Sequence, residues 1–107
     1  MNMDKFKDKK IAVLGFGIEG KSVADFLTDS EITVFDEKNR EDFDPEVLNK
    51  YENGGVKFEL GRIGDLTGFS TIFRSPGFHP KLPKLVAAQE NGIEISSATK
   101  LFFDLCP

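Results

Sequence analysis

The run Gly15-Phe16-Gly17-Ile18-Glu19-Gly20 constrains this chain more than any other feature, because an apolar run precedes it and helical spacing follows it. In that setting the three glycines have separate tasks. Gly15 permits a tight turn, Gly17 lets the backbone approach a pyrophosphate, and Gly20 lets helix and strand pack closely. The N–H groups that open the helix then face the anion. The same glycines without a ligand make a tight turn and nothing more, and that reading stands beside the first.

Around this turn, short β-branched or aromatic runs alternate with helical periodicity. Lys10 to Leu14 is apolar on both faces, as a buried central parallel strand should be. A helix is predicted from about Gly20, with Val23, Ala24, Phe26 and Leu27 as its inward stripe. Ile32 to Phe35 reads as the second strand. Asp44-Pro45 reads as the cap and first residue of a short helix, faced by Val47, Leu48 and Tyr51 and ended by Asn53-Gly54-Gly55. Val56 to Leu60 and Thr71 to Arg74 are the third and fourth strands, and one helical turn is expected in the connection Gly61 to Phe69 between them. Leu82, Leu85, Val86 and Gln89 have helical spacing before the stop at Asn91-Gly92. Ile93 to Ser96 is the fifth strand, and Ala98, Leu101, Phe102 and Leu105 recur at i, i+3, i+4 and i+7. The pattern predicts an α/β fold, a Rossmann-like open parallel sheet of about five strands flanked by helices, with residues 1–107 forming a single domain.

Several classes of function drop out. A net charge of −4 leaves no basic stripe to neutralise phosphates, so no nucleic acid is expected as partner. Lys5, Lys7, Lys9 and Lys10 are interrupted by Asp4 and Asp8 and read as a solvated lead-in. The lone Cys106 can form neither an internal disulfide nor a metal site. No secretory leader is recognisable, and the longest apolar run, Ile11 to Ile18, is far short of the ~20 residues that span a bilayer. No membrane contact and a cytoplasmic location are therefore expected. There is no Gly-x-x-x-x-Gly-Lys-Ser/Thr cradle and no paired-carboxylate, nucleophile or metal constellation, so no catalytic or metal residue is assigned.

Two further loops belong with the glycine turn. Asp36 ends the second strand, sixteen residues after Gly20. An acid there accepts hydrogen bonds from ribose hydroxyls, holds a base edge, or is simply a solvated strand end. Ser75-Pro76-Gly77 follows the fourth strand, where proline and glycine allow a sharp turn. In an open parallel sheet, ligands bind beyond the carboxyl ends of the strands, so the three loops should converge on one pocket. Among the eleven phenylalanines, Phe26, Phe35, Phe58, Phe73 and Phe102 read as core. Phe16 and Phe78 lie in loops, where each either walls a ligand or folds back on the core. His79 reads as a loop residue.

Taken together, Ile11-Ala-Val-Leu-Gly-Phe-Gly-Ile-Glu-Gly-Lys-Ser22, Asp36, Ser75-Pro76-Gly77, and Gly92-Ile93-Glu94-Ile95 followed by Leu101-Phe102 resemble the N-terminal domain of the Mur ligases, and within them the D-glutamate-adding branch. The resemblance runs from about Lys9 to Cys106. It implies a domain that binds the UDP part of UDP-N-acetylmuramoyl-L-alanine within a longer peptidoglycan-synthesis ligase. That parent uses ATP and magnesium in central and C-terminal domains, while this stretch alone is inactive and binds no cofactor. By the same resemblance Gly17, Ile18, Glu19 and Gly20 lie along the diphosphate. Asp36, Glu37 and Lys38 surround uracil and ribose, and Ser75, Pro76 and Gly77 form the opposite wall. On that placement, removing the Asp36 side chain should harm uridine nucleotides and spare pyrophosphate. Two residues depart from the family pattern. Glu19 stands where many members carry a small hydroxyl residue, with Lys21 or Lys38 available to offset its charge, and Arg74 stands where many carry an apolar one. Arg74 reads as a phosphate contact or a solvent-facing edge residue.

The glycine turn and strand-end acid would serve equally in an NAD(P)-binding Rossmann domain of a dehydrogenase or a cofactor-sensing module. Dinucleotide binding does not demand the Ser-Pro-Gly turn or the Gly-Ile-Glu-Ile strand. A scaffold that binds only protein has no use for three ligand-facing loops.

Overall fold

Strands that are apolar on both faces need cover on both, and the sheet of this protein is clothed accordingly. The computed structural model describes residues 6–75 and 82–105. Its strands are β1 (Lys10–Leu14), β2 (Glu31–Asp36), β3 (Lys57–Leu60), β4 (Thr71–Arg74) and β5 (Glu94–Ser96). Its helices are α1 (Ile18–Phe26), α2 (Pro45–Asn53), α3 (Pro83–Glu90) and α4 (Ala98–Leu105), with a short 3-10 turn at Arg40–Asp42. The strands form one sheet in the order β3-β2-β1-β4-β5, and every neighbouring pair is parallel. The expected α/β class and five-stranded parallel sheet are both present.

Alternation along the strands divides the core in two. Ile11, Val13, Ile32, Val34 and Phe73 pack against Val23, Ala24, Leu48, Tyr51, Ala98 and Leu101 of α1, α2 and α4, and against Leu27, which caps the end of α1. On the other face Ala12, Leu14, Phe35 and Ile72 meet Leu85 and Ala88 of α3. Beside α3 on that face lie Ile63 and Leu66 from the connection between β3 and β4.

That connection is the main departure from expectation, since it contains no helical turn. Asp65 accepts hydrogen bonds from both the N–H and the hydroxyl of Thr67, at 3.0 and 2.8 Å. These bonds, the backbone one foremost, hold the Asp65 carboxyl below its ordinary range. A side chain that closes a local turn in this way competes with helix formation. Ile63 and Leu66 are nevertheless buried, so the segment covers the sheet without regular structure.

Two helical stripes also differ in detail. Phe26 is 44% exposed and lies against Phe102 of α4, ring centroids 4.9 Å apart. It sits about 100° of helical rotation from its neighbour Leu27, which takes it off the buried stripe. In α3 the buried residues are Leu85 and Ala88, while Val86 and Gln89 face outward. Asp44 caps α2 as expected, accepting from the Glu46 N–H at 2.9 Å. Lys7, Lys9 and Lys10 are exposed, as a solvated lead-in requires, while Lys5 and Cys106 lie outside the described residues.

Helices α1 and α2 are joined by one polar contact at the edge of the core. The buried Tyr51 donates its hydroxyl to Asp25 Oδ1 at 2.9 Å. Burial, then the bond and the charge of Asp25, push the Tyr51 pKa from 10.0 up to about 12. Because the folded value lies above the unfolded one, the stabilisation is complete below pH 10 and is lost as pH rises towards 12. Tyr51→Phe is expected to lower stability at pH 7 by about 1 kcal/mol. It should also flatten the fall in stability between pH 10 and 12, as read by urea unfolding at a series of pH values.

Candidate ligand-binding site

In this strand order the chain leaves β1 for β2 on one side and later returns to β4 on the other. The carboxyl ends of β1 and β4 therefore flank the point where the winding reverses, the usual ligand crevice of such sheets. Main-chain bonds bring the loops together there. The Gly15 N–H donates to the Phe35 carbonyl at 2.7 Å, and the Ser75 N–H donates to the Leu14 carbonyl at 3.2 Å. The turn after β1 is thus held between the ends of β2 and β4. Gly15, Gly17, Ile18, Glu19, Gly20, Asp36 and Ser75 share this rim, with Glu37 and Lys38 exposed just beyond Asp36. Pro76 and Gly77, like Phe78 and His79, lie outside the described residues.

The three glycines differ in what demands them. Gly15 has φ of +91°, which a side chain rarely tolerates. A Cβ on Gly20 would lie 2.2 Å from the Gly15 carbonyl oxygen, so the close seating of α1 on β1 requires glycine. At Gly17 φ is −88° and a Cβ would meet nothing within 4 Å. Neither conformation nor packing explains a glycine at this position. It also caps α1, whose amino end has no side-chain cap; the first intrahelical bond runs from the Lys21 N–H to the Gly17 carbonyl at 3.0 Å. The N–H groups of the first turn are left as donors. Beside them Ile18 is 84% exposed.

Phe16, open to two readings from sequence, belongs to the core. Only 3% of it is exposed, and its ring meets Phe58, Tyr51 and Phe43 edge-on at 4.9, 5.1 and 6.3 Å between centroids. Lys21 Nζ lies 5.5 Å over the same ring, a cation–π contact that keeps a positive charge near the turn. Asp36 is half-buried and turned towards the turn. Its Oδ2 accepts from the Phe16 N–H and its Oδ1 from the Lys38 N–H, each at 2.9 Å.

Glu19 is half-buried in the first turn of α1. A carboxylate there interacts favourably with the positive end of the helix dipole, which gives this departure a structural reason. Arg74 is half-buried on β4, in register with Leu14 on β1. Although β4 lies between β1 and β5, its pairing with β5 ends at Phe73, so Arg74 stands at the carboxyl edge of the sheet. Sequence reasoning passed over Arg62, which an isolated antiparallel bridge sets beside Asp36. Its only signal was its place directly after β3, at the same carboxyl edge.

A surface cavity of about 320 Å³ lies elsewhere among the described residues. Lys10, Glu31, Thr33, Lys57, Asp65 and Phe69 line it, near the amino ends of the strands. Its mixed, exposed charges include no set suited to chemistry, whereas the opposite rim gathers main-chain donors at a helix start. Among the described residues no three His, Cys, Asp or Glu side chains cluster as metal ligands.

An open parallel sheet with a glycine turn at its switch point defines a Rossmann-like domain. Residues 9–97 match the family described as Mur ligase MurD-like, N-terminal domain, and the chain belongs to that family. The UDP-N-acetylmuramoylalanine–D-glutamate ligase of Clostridium acetobutylicum is 38% identical over 105 residues, covering 94% of this chain and 23% of its own length. The ligase of the same name from Acetivibrio thermocellus is 36% identical over 107 residues, with 96% and 23% covered. That from Ruminiclostridium cellulolyticum is 36% identical over 105 residues, with 94% and 22% covered. The chain spans less than a quarter of the length of these relatives.

The glycines give a paired expectation. Gly20→Ala should lower unfolding free energy by about 3 kcal/mol, because main chain and helix must separate. Gly17→Ala should change it by less than about 1 kcal/mol while weakening any diphosphate bound at the turn. Denaturant unfolding of both variants checks the pair, and an equally large loss at Gly17 would show that its role is structural.

Proposed function

We propose that this domain binds the UDP part of UDP-N-acetylmuramoyl-L-alanine, as the N-terminal domain of an ATP-dependent D-glutamate-adding ligase of peptidoglycan synthesis. The observation that carries the reading is Gly17, a glycine that neither φ nor packing requires, at an uncapped helix start on the switch-point rim. Space without a side chain beside free N–H donors suits an anion with two phosphates. Membership of the MurD-like N-terminal family supports a uridine diphosphate over a dinucleotide. In this reading Gly15, Gly17, Ile18, Glu19 and Gly20 attend the diphosphate. Asp36, Glu37 and Lys38 form the nucleoside side, and Ser75, Pro76 and Gly77 form the facing wall.

The domain acts as a substrate holder. Its residues do not fit ATP phosphates or a magnesium ion, having neither the phosphate cradle nor an acidic cluster among the described residues. In the parent enzyme those groups belong to the other domains, and this stretch alone is inactive. No helix among the described residues is long and apolar enough to cross a membrane. The proposed ligase reading itself carries a cytoplasmic, peptidoglycan-directed role.

Calorimetric titration of the 107-residue chain tests the reading. UDP and the UDP-muramoyl precursor should bind weakly but measurably, and NADH more weakly still. Tight NADH binding with no response to UDP would instead make this an NAD(P)-binding domain. Glu19 supplies a finer check. Glu19→Gln removes a like charge beside the diphosphate and should raise UDP affinity roughly threefold at low salt, with the gain shrinking as salt is added. It should also cost about 0.5 kcal/mol of stability through the helix dipole. Unchanged UDP affinity at low salt would place Glu19 away from the phosphates.

A further inference from the structure

We propose that Asp36 is a positioning residue, a carboxylate strut that ties the diphosphate turn to the nucleoside-side turn and presets the main-chain donors of residues 17–20. The inference rests on the UDP-binding reading and changes the part Asp36 plays in it, from contact to alignment.

Both carboxylate oxygens are already engaged without a ligand. One accepts from Phe16, twenty residues back in the chain, and the other from Lys38, two residues on. The Lys38 bond by itself would be a local turn closure, common for aspartate. The Phe16 bond is different, because it crosses from β2 to the loop after β1 and fixes one peptide inside the glycine turn. Both ends of this strut are anchored. Phe16 cannot drift, since its ring is buried among Tyr51, Phe58 and Phe43. The turn after β2 is held to the sheet by Gly61, whose N–H donates to the carbonyls of Asp36 and Lys38 at 2.9 and 2.8 Å. The adjacent bridge between Asp36 and Arg62 adds to that.

Around the anchored Phe16 stand glycines at 15, 17 and 20, the residues with most backbone freedom to lose on ordering. A half-buried, charge-assisted bond is what holds such a turn in one conformation. The donors of α1 then meet a diphosphate already aligned, and binding loses less to loop ordering. A carboxylate has about four acceptor sites, so the two main-chain bonds persist whether or not a ribose also reaches it.

The test uses Asp36→Asn in the full 107-residue chain. An amide group has one acceptor oxygen, so whichever way it turns, one of the two N–H donors faces an NH2 group instead. Affinities for inorganic pyrophosphate and for UDP should fall by a similar factor, about tenfold. In amide hydrogen exchange, Phe16 and Lys38 should be protected in the wild-type chain. In the variant that protection should drop and residues 17–20 should exchange faster, while β1 and β4 stay unchanged. Loss of UDP binding with pyrophosphate binding and exchange intact would overturn the strut and make Asp36 a nucleoside contact. If wild-type protein binds neither ligand, the UDP reading falls, and the exchange pattern still decides the strut. Should the variant fail to fold, wild-type exchange decides alone: a Phe16 amide as unprotected as an exposed loop amide would refute the bond.

Discussion

Phe16 is held at both ends, and the candidate site depends on that. Its ring is buried among three aromatic side chains from α2, β3 and the segment between β2 and α2. Its N–H is bonded to Asp36. A turn of glycines alone would sample many conformations, and each residue fixed costs on the order of 1–2 kcal/mol of entropy. One bulky side chain placed between Gly15 and Gly17 removes much of that freedom by packing. The core of the domain and the shape of its ligand rim are therefore one problem: Tyr51 packs on Phe16 and bonds Asp25 of α1, linking the helix to the turn that precedes it.

The close seating of α1 on β1 completes the arrangement. With no side chain at Gly20, the first turn of the helix sits against the Gly15 carbonyl. This brings the helix start to the carboxyl edge, between the ends of β2 and β4. Parallel strands leave all their carboxyl ends on that edge, so loops distant in sequence meet there without further design.

Much of this was legible in the sequence, since strands buried on both faces and helices with a repeating apolar stripe announce themselves by period. β1 and β4 have the predicted bounds, and the strand–turn–helix context of the glycines holds. Three features were not legible. The period of an amphipathic helix does not fix the edge of its stripe, so Phe26, next to Leu27, was placed inside and stands partly outside. Loop side chains have no period at all, and only tertiary packing turns Phe16 inward. The connection between β3 and β4 has apolar residues at Ile63, Leu66 and Phe69, a spacing of three that mimics a helix. The Asp65–Thr67 bonds close a local turn there instead.

The strand-end acid illustrates a further limit of reading function from position. An aspartate at the end of β2 has the same address whether it touches a ribose or braces a loop. The two roles differ only in what its oxygens face, and that depends on the height of the neighbouring turn. Here the turn after β1 is close enough for Phe16 to donate. A rim made largely of main-chain donors recognises a diphosphate by charge and shape and carries no information about the nucleoside. On the proposed reading, discrimination between uridine and a dinucleotide falls to side chains near the end of β2, where Glu37, Lys38 and Arg62 stand exposed. In the proposed function the glycine turn would supply affinity common to the whole fold class, and the residues around Asp36 would supply the choice of ligand.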